Sequence, residues 1–403
     1  MVRNLLGAAA VVFGFSSLHA QNMDTRFYGY LDGYFESVED QTSANGAVDE
    51  NSSEFNVPNL SLVINSNINN DYRAYMNLTG QGAGNISVRN AWVEKSLAGD
   101  YLKFRIGKLY RPFGIYNEIL DAVPTYIGIE APELFDTDHL MLTRTTNLML
   151  WGQKNLGVGS LRYVLKTGND ERESSQVPYG IDLQYNIGSN WKFGFSYYDT
   201  NGKAKPINDK ADSPSEGGVH AWMSEDEYNV MGPYFQYKGS KWTVQAATYQ
   251  ADHNATRDDS GNVGESKADL ICQSTTSANQ RIKDRFGCVG NDAQNTNADY
   301  KIDTYYLRVG YNFDLESGGQ ITPYAQYDYY KNPEMVYDKS LGGDKEAGVS
   351  DDGDFVKWTV GTVYRPNYTV TFKLDYSQHM QDVVNESKDY GEIRFSYSYF
   401  WKF

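Results

Sequence analysis

The segment Ile393 to Phe403 reads IRFSYSYFWKF, with a large side chain at every second position. Ile393, Phe395, Tyr397, Tyr399, Trp401 and Phe403 fall on one face, and Arg394, Ser396, Ser398 and Lys402 on the other, with Phe400 as the exception. A period of two is the signature of a β-strand, whose successive side chains point to opposite sides. Such a strand serves a soluble sandwich, with its apolar face against a second sheet, or a membrane barrel, with that face against lipid. The rest of the chain must decide.

The chain opens MVRNLLGAAAVVFGFSSLHA, with Arg3 as its early charge, an apolar run from Leu5 to Phe15 and small residues before Ala20. This is the pattern of a secretory signal peptide over residues 1–20, too short to span a bilayer, with cleavage expected after Ala20 and a mature chain of 21–403. The formal net charge of −16 argues against nucleic acid as a partner. Beyond the signal no stretch approaches the length of about 18 apolar residues that a membrane-spanning helix needs. The mean hydropathy of −0.59 would ordinarily read as soluble. Yet 33 Tyr, 14% aromatic residues and few helix-period segments fit an all-β fold better. No Pro/Ser-rich linker divides the chain, so one large sheet is the economical reading.

About sixteen segments of roughly ten residues have strand character, the length a tilted strand needs to cross a bilayer's apolar band. Their connections alternate. Short turns (INNDY, LAGDY, IGSNW, KGSKW, RPNY) are interleaved with long polar loops, the longest spanning 109–140, 201–226, 252–299 and 332–354. A sandwich has no reason to collect its short connections at one end, whereas a barrel inserted from one side does. The predicted fold is therefore a transmembrane antiparallel β-barrel of about sixteen strands, with short periplasmic turns and long outer loops. Trp151, Trp191, Trp242 and Trp401 fall at one predicted interface, where an amphipathic ring is favoured.

With its signal peptide, its alternation of turns and loops, its aromatic last strand and Phe403 in final position, the chain resembles the bacterial outer-membrane porins. RIGKLYRPFG is also similar to a segment before the inward loop of phosphate-selective-type porins. The resemblance implies an outer-membrane location, a homotrimer, contact with the bilayer and with lipopolysaccharide, and passive diffusion of small hydrophilic solutes and ions. It implies no cofactor.

The connection between the fifth and sixth predicted strands, 109–140, carries Glu118, Asp121, Glu130, Glu133, Asp136 and Asp138 and no basic residue from Pro112 on. It is also apolar for an outer loop, through Phe113, Ile115, Tyr126, Ile127, Ile129 and Phe135, residues that expect burial. A loop folded into the lumen would bury them against the wall and turn its carboxylates to the water path. Strand alternation turns Arg73, Lys103, Arg105, Arg162 and Lys166 inward, and Arg89 with them, although VRNAWVE does not alternate cleanly. A basic wall facing an acidic loop would set a transverse field across a constriction. The competing reading is that these charges pair with one another or solvate the lumen.

Cys272 and Cys288 are the only cysteines, and in an exported chain their spacing reads as a disulfide within the 252–299 loop, with a redox pair as the alternative. Between them QRIKDRFG places Arg281, Lys283 and Arg285 either as an exposed charged stretch or against lipid headgroups. His139, His220, His253 and His379 lie on separate segments and no nucleophile, zinc or calcium-loop motif is present, so neither an enzyme nor a metal site is expected. The first expectation is a passive diffusion channel. The alternatives are a channel selective for anions such as phosphate, or for sugars, and a surface adhesion barrel. Tyr pairs such as Tyr305-Tyr306 suggest sugar stacking, but neighbours in a strand face opposite ways, so at most one of each pair lines the lumen and the sugar case is weakened.

Overall fold

The structure, a computed structural model, describes residues 24–38, 52–55, 59–81, 85–119, 125–132, 135, 145–168, 176–205, 218–220, 222–258, 267–274, 280–334, 354–380, 382–383, 386–387 and 389–402. The signal-peptide reading of 1–20 lies outside these, as do Phe403, Asp121, Glu133, Asp136, Asp138 and His139.

Sixteen long strands form one antiparallel sheet: β1 (Asp24–Val38), β2 (Asn59–Asn67), β3 (Tyr72–Gln81), β4 (Asn85–Ser96), β5 (Lys103–Tyr110), β6 (Thr145–Leu156), β7 (Gly159–Thr167), β8 (Tyr179–Ile187), β9 (Trp191–Asp199), β10 (Met223–Lys238), β11 (Trp242–Arg257), β12 (Asn297–Tyr311), β13 (Gln320–Lys331), β14 (Asp354–Arg365), β15 (Val370–Met380) and β16 (Tyr390–Lys402). Each pairs with its sequence neighbours, and β16 returns to β1, where Tyr28 faces Lys402 and Val38 faces Glu392. Closure removes the sheet's edges and satisfies its backbone internally. Both ends of the paired chain, Asp24 and Lys402, lie at the short-turn end, as an even strand number requires.

Alternation sorts the two faces. Along β12 the exposure pattern switches at nearly every residue, so Tyr300, Ile302, Tyr306 and Arg308 are buried inside while Tyr305 and Leu307 are exposed outside. In β16 the expected faces hold: Ile393, Phe395 and Tyr399 are exposed outward and Ser396 and Ser398 are buried inward. Trp191 and Trp242 are exposed near the turn end, as a lipid-interface ring should be. Trp151 is not. Its indole N–H donates to Glu94 Oε2 at 2.8 Å, inside the barrel, because it shares the parity of inward Met149.

Three further expectations change. The loop end has one short link, the three residues 82–84 between β3 and β4. β10, β11 and β12 run to 16, 16 and 15 residues instead of about ten. Their extra length continues because its inward side chains are buried: His253 stacks between Tyr228 and Tyr300, and its Nδ1–H donates to Asp226 Oδ2 at 2.8 Å. Third, the connection after β11, expected as a long polar loop, carries helical structure among its described residues. It holds two short helices, α1 (Lys267–Ser274) and α2 (Gln280–Phe286), and Cys272 and Cys288 are joined there as a disulfide. Ile271 and Phe286 belong to the same buried cluster as Trp222 and Tyr300, so this loop packs as a cap on the tall strands.

Candidate functional site

The site is built by the connection between β5 and β6, whose described part enters the barrel. Its first limb, 111–119, descends past β7, β9 and β11. Lys166 of β7 donates to the Pro112 carbonyl, and the Gly114 N–H donates to Ser196 Oγ of β9 at 2.9 Å. Phe113 packs on Tyr249 with ring centroids 5.0 Å apart, and Tyr116 donates to Gln245 Oε1 at 2.5 Å. Gly114 has φ of +64°, and a Cβ there would lie 2.4 Å from the Tyr249 hydroxyl, so this turn fits only glycine.

The second limb, 125–131, climbs the opposite wall. Lys373 of β15 donates to the Gly128 carbonyl at 2.6 Å and the Ile129 N–H donates to Asp375 Oδ2 at 3.2 Å. Glu130 pairs with Lys357 of β14 at 2.6 Å and with Arg394 of β16. Arg394 also meets Glu392 at 2.6 Å and Glu36 of β1 at 3.2 Å.

Arg308 of β12 joins the limbs. Its guanidinium donates to the Tyr116 hydroxyl at 2.6 Å, to the Ile127 carbonyl and to the Glu130 carbonyl at 2.8 Å, while its Nε donates to Gln326. A planar fork with five N–H donors suits this task. Burial dominates the energetics of the seat. Phe113, Tyr116 and Phe135 are at most 2% exposed, and fully burying such a side chain contributes about 1.5–3 kcal/mol each.

Arg73, Lys103, Arg105, Arg162 and Lys166 share the inward parity of their strands, and most are already engaged. Arg162 grips Glu118 with two bonds of 2.9 Å. Burial works against the charge on Glu118, but the Arg162 guanidinium and the nearby Arg105 overcome it and hold the carboxyl below its ordinary value. Arg105 donates twice to Glu94 Oε2, at 2.8 and 2.6 Å, and lies 3.8 Å over the Trp92 ring. Lys103 meets the exposed Asp100 at 2.8 Å. Lys166 is 3% exposed and buried under the loop. Arg89 occupies a β-bulge, where β4 pairs Asn90 with Asn77 and then Val88 with Leu78, which explains why VRNAWVE alternates poorly.

Both described carboxylates of the loop are paired with wall cations while keeping about a third of their side chains exposed, 32% for Glu118 and 28% for Glu130, so they meet the water path as ion pairs and not as free charges. The wall cations Arg162, Lys357 and Arg394 satisfy them as the apolar side chains between them are buried. Sequence reasoning missed Arg308, Lys357, Lys373 and Asp375. Their inward parity is readable in each strand, but not which loop atoms they meet.

A model of the Gram-negative porin family matches residues 7–384. A search of curated proteins finds no match. Among solved structures, the fold is similar to an anion-selective porin from Comamonas acidovorans, with 12% identity, 94% of this chain and 100% of that one covered, and a TM-score of 0.56. It is similar to the outer membrane channel DcaP of Acinetobacter baumannii, with 10% identity, 95% and 99% coverage, and a TM-score of 0.53. It is also similar to the in-vitro folded trimer form of OmpT, an outer membrane protein of Vibrio cholerae, with 11% identity, 94% and 100% coverage, and a TM-score of 0.50. At these identities the likeness is one of fold.

Proposed function

We infer how the channel works from one premise: the chain belongs to the Gram-negative porin family. It is a bacterial outer-membrane β-barrel through which small hydrophilic solutes and ions diffuse passively. On our reading the loop between β5 and β6 is the constriction, and the observation that carries this is its anchorage from inside. Its described part bonds to inward side chains of β7, β9, β11, β12, β14, β15 and β16. Solutes then pass between this loop and the wall of β1 to β5, where Arg73, Lys103 and Arg105 stand. The family and fold are those of channels, and we assign the chain no catalytic role. Export after removal of residues 1–20, contact with lipopolysaccharide and a homotrimer belong to the same reading, the last supported by the trimer form of the OmpT neighbour.

Planar-bilayer recording tests it. Stepwise, roughly linear conductance is expected from the intact chain, and a chain in which a short Gly/Ser link replaces residues 113–139 should conduct several-fold more. An unchanged conductance would remove the loop from the constriction. No conductance from folded protein would overturn the pore reading.

A further inference from the structure

We propose that Arg73 is a binding step for a small oxyanion, a carboxylate or a phosphate, on the inner wall formed by β3 and β4. This rests on the channel reading above and assigns its selectivity to one residue. The argument begins with how the wall's cations are satisfied. Arg162, Lys103 and Arg105 each have a carboxylate within 3 Å, at Glu118, Asp100 and Glu94. Their charges are largely cancelled where they stand.

Arg73 is held differently. Its Nε donates to the Asn65 Oδ1 at 2.9 Å, and its guanidinium lies 5.4 Å from the centre of the Trp92 ring. Trp92 is itself stacked on Tyr75 at 5.2 Å. An amide and an aromatic face orient a guanidinium without neutralising it. Glu94 stands opposite Arg73 in the β3–β4 register, yet its Oε2 is taken by Arg105 and by the Trp151 indole. Among the described residues no ion pair reaches Arg73, and its two Nη groups are not among the sealed, unbonded polar atoms of the barrel. They face solvent on the half-buried side of the wall. The result is a fixed fork with its charge intact and the Nη edge free, the geometry that receives a carboxylate or phosphate through two parallel N–H bonds. Tyr75, next inward on β3, holds the Trp92 ring in place by stacking on it.

The test is a bilayer recording in chloride, with sodium acetate or inorganic phosphate added as the probe. The intact channel should show a saturable fall in chloride current with at least one probe, and which probe saturates distinguishes the carboxylate source from the phosphate source. Arg73→Gln should abolish saturation and reduce anion preference. Arg73→Lys keeps the charge and loses the fork, so anion preference should persist while half-saturation weakens roughly tenfold. Lys154→Gln removes a positive charge near the same end of the barrel but on its outward side, and should leave both readings unchanged. Saturation in Arg73→Lys equal to that of the intact chain would reduce Arg73 to a contributor of field alone and overturn the proposal. So would saturation that survives Arg73→Gln, or the absence of saturation with both probes in a conducting channel. A folded protein that does not conduct at all fails the channel reading instead.

Discussion

At Glu118 burial and pairing act in opposite directions, and pairing prevails. A carboxyl held below its ordinary value contributes stability that is fully present above the unfolded value, near pH 4.3, and is lost only as pH falls through the lower folded one. The Arg162 clamp should thus survive acidification that protonates an ordinary glutamate. Single-channel conductance compared between the intact chain and Glu118→Gln should differ most near and above pH 4.3, and the difference should disappear in stronger acid. A difference that vanishes well above pH 4.3 would contradict the sign. Arg308 is the more costly residue to lose. Arg308→Met would leave the Ile127 and Glu130 carbonyls and the Tyr116 hydroxyl without their donor or partner, at about 1–3 kcal/mol for each group stranded in the interior. The expected outcome is a released loop in an intact barrel: noisier, larger conductance with unchanged gel mobility of the unheated protein. Quiet conductance like that of the parent would show that the remaining contacts suffice.

The constriction loop and the cap on β10 to β12 use different devices to hold a long connection in place. In the loop a left-handed glycine brings backbone against an aromatic wall. Gly114→Ala adds a Cβ where the Tyr249 hydroxyl and the Phe135 ring already sit, at 2.4 and 3.0 Å. Together with the cost of φ +64° for a non-glycine, this should destabilise the seat by about 1–3 kcal/mol and raise the rate of proteolysis within 113–139. In the cap the device is covalent. Reducing Cys272–Cys288 should cost about 3 kcal/mol of local stability, read as faster cleavage of 258–296 while conductance persists. These differences also mark how far the sequence could be read. The strands were legible because alternation is local, as YKIDTYYLRVGYNF shows, and the apolar content of 112–140 announced a buried loop. The extra length of β10 to β12, the helices α1 and α2, and the pairing of Glu118 with the wall were not, because each depends on a partner far along the chain. Trp151 shows the limit: its place near a turn was read correctly, but the face it uses follows from the parity of β6 rather than from a general preference of Trp for interfaces.

The closed barrel presents two kinds of outer surface. From β8 to β10 and from β12 to β16 its exposed outward residues include Tyr179, Phe193, Phe195, Tyr305, Tyr327, Tyr364, Phe372 and Phe395, the rings favoured at a lipid interface. On β2 to β5 the exposed outward positions are mainly aliphatic, Leu60, Ile86, Val88, Val93 and Ile106, with Ala74 and Met76 between them and with Tyr72, beside Tyr101 of the adjoining turn, as the rings at the turn end. A surface with so few rings gains less from meeting headgroups and loses less by meeting another smooth protein surface, where aliphatic and small side chains permit close approach. The homotrimer proposed above should therefore use β2 to β5. A fluorescent label at Leu78→Cys, with the native disulfide left intact, should be shielded from quenching by brominated lipid, while one at Phe195→Cys should be strongly quenched. The unheated protein should migrate as a trimer in both cases. Equal quenching at the two positions in a verified trimer would move the interface elsewhere on the barrel, and equal quenching with monomeric migration would leave both surfaces to lipid and withdraw the trimer itself.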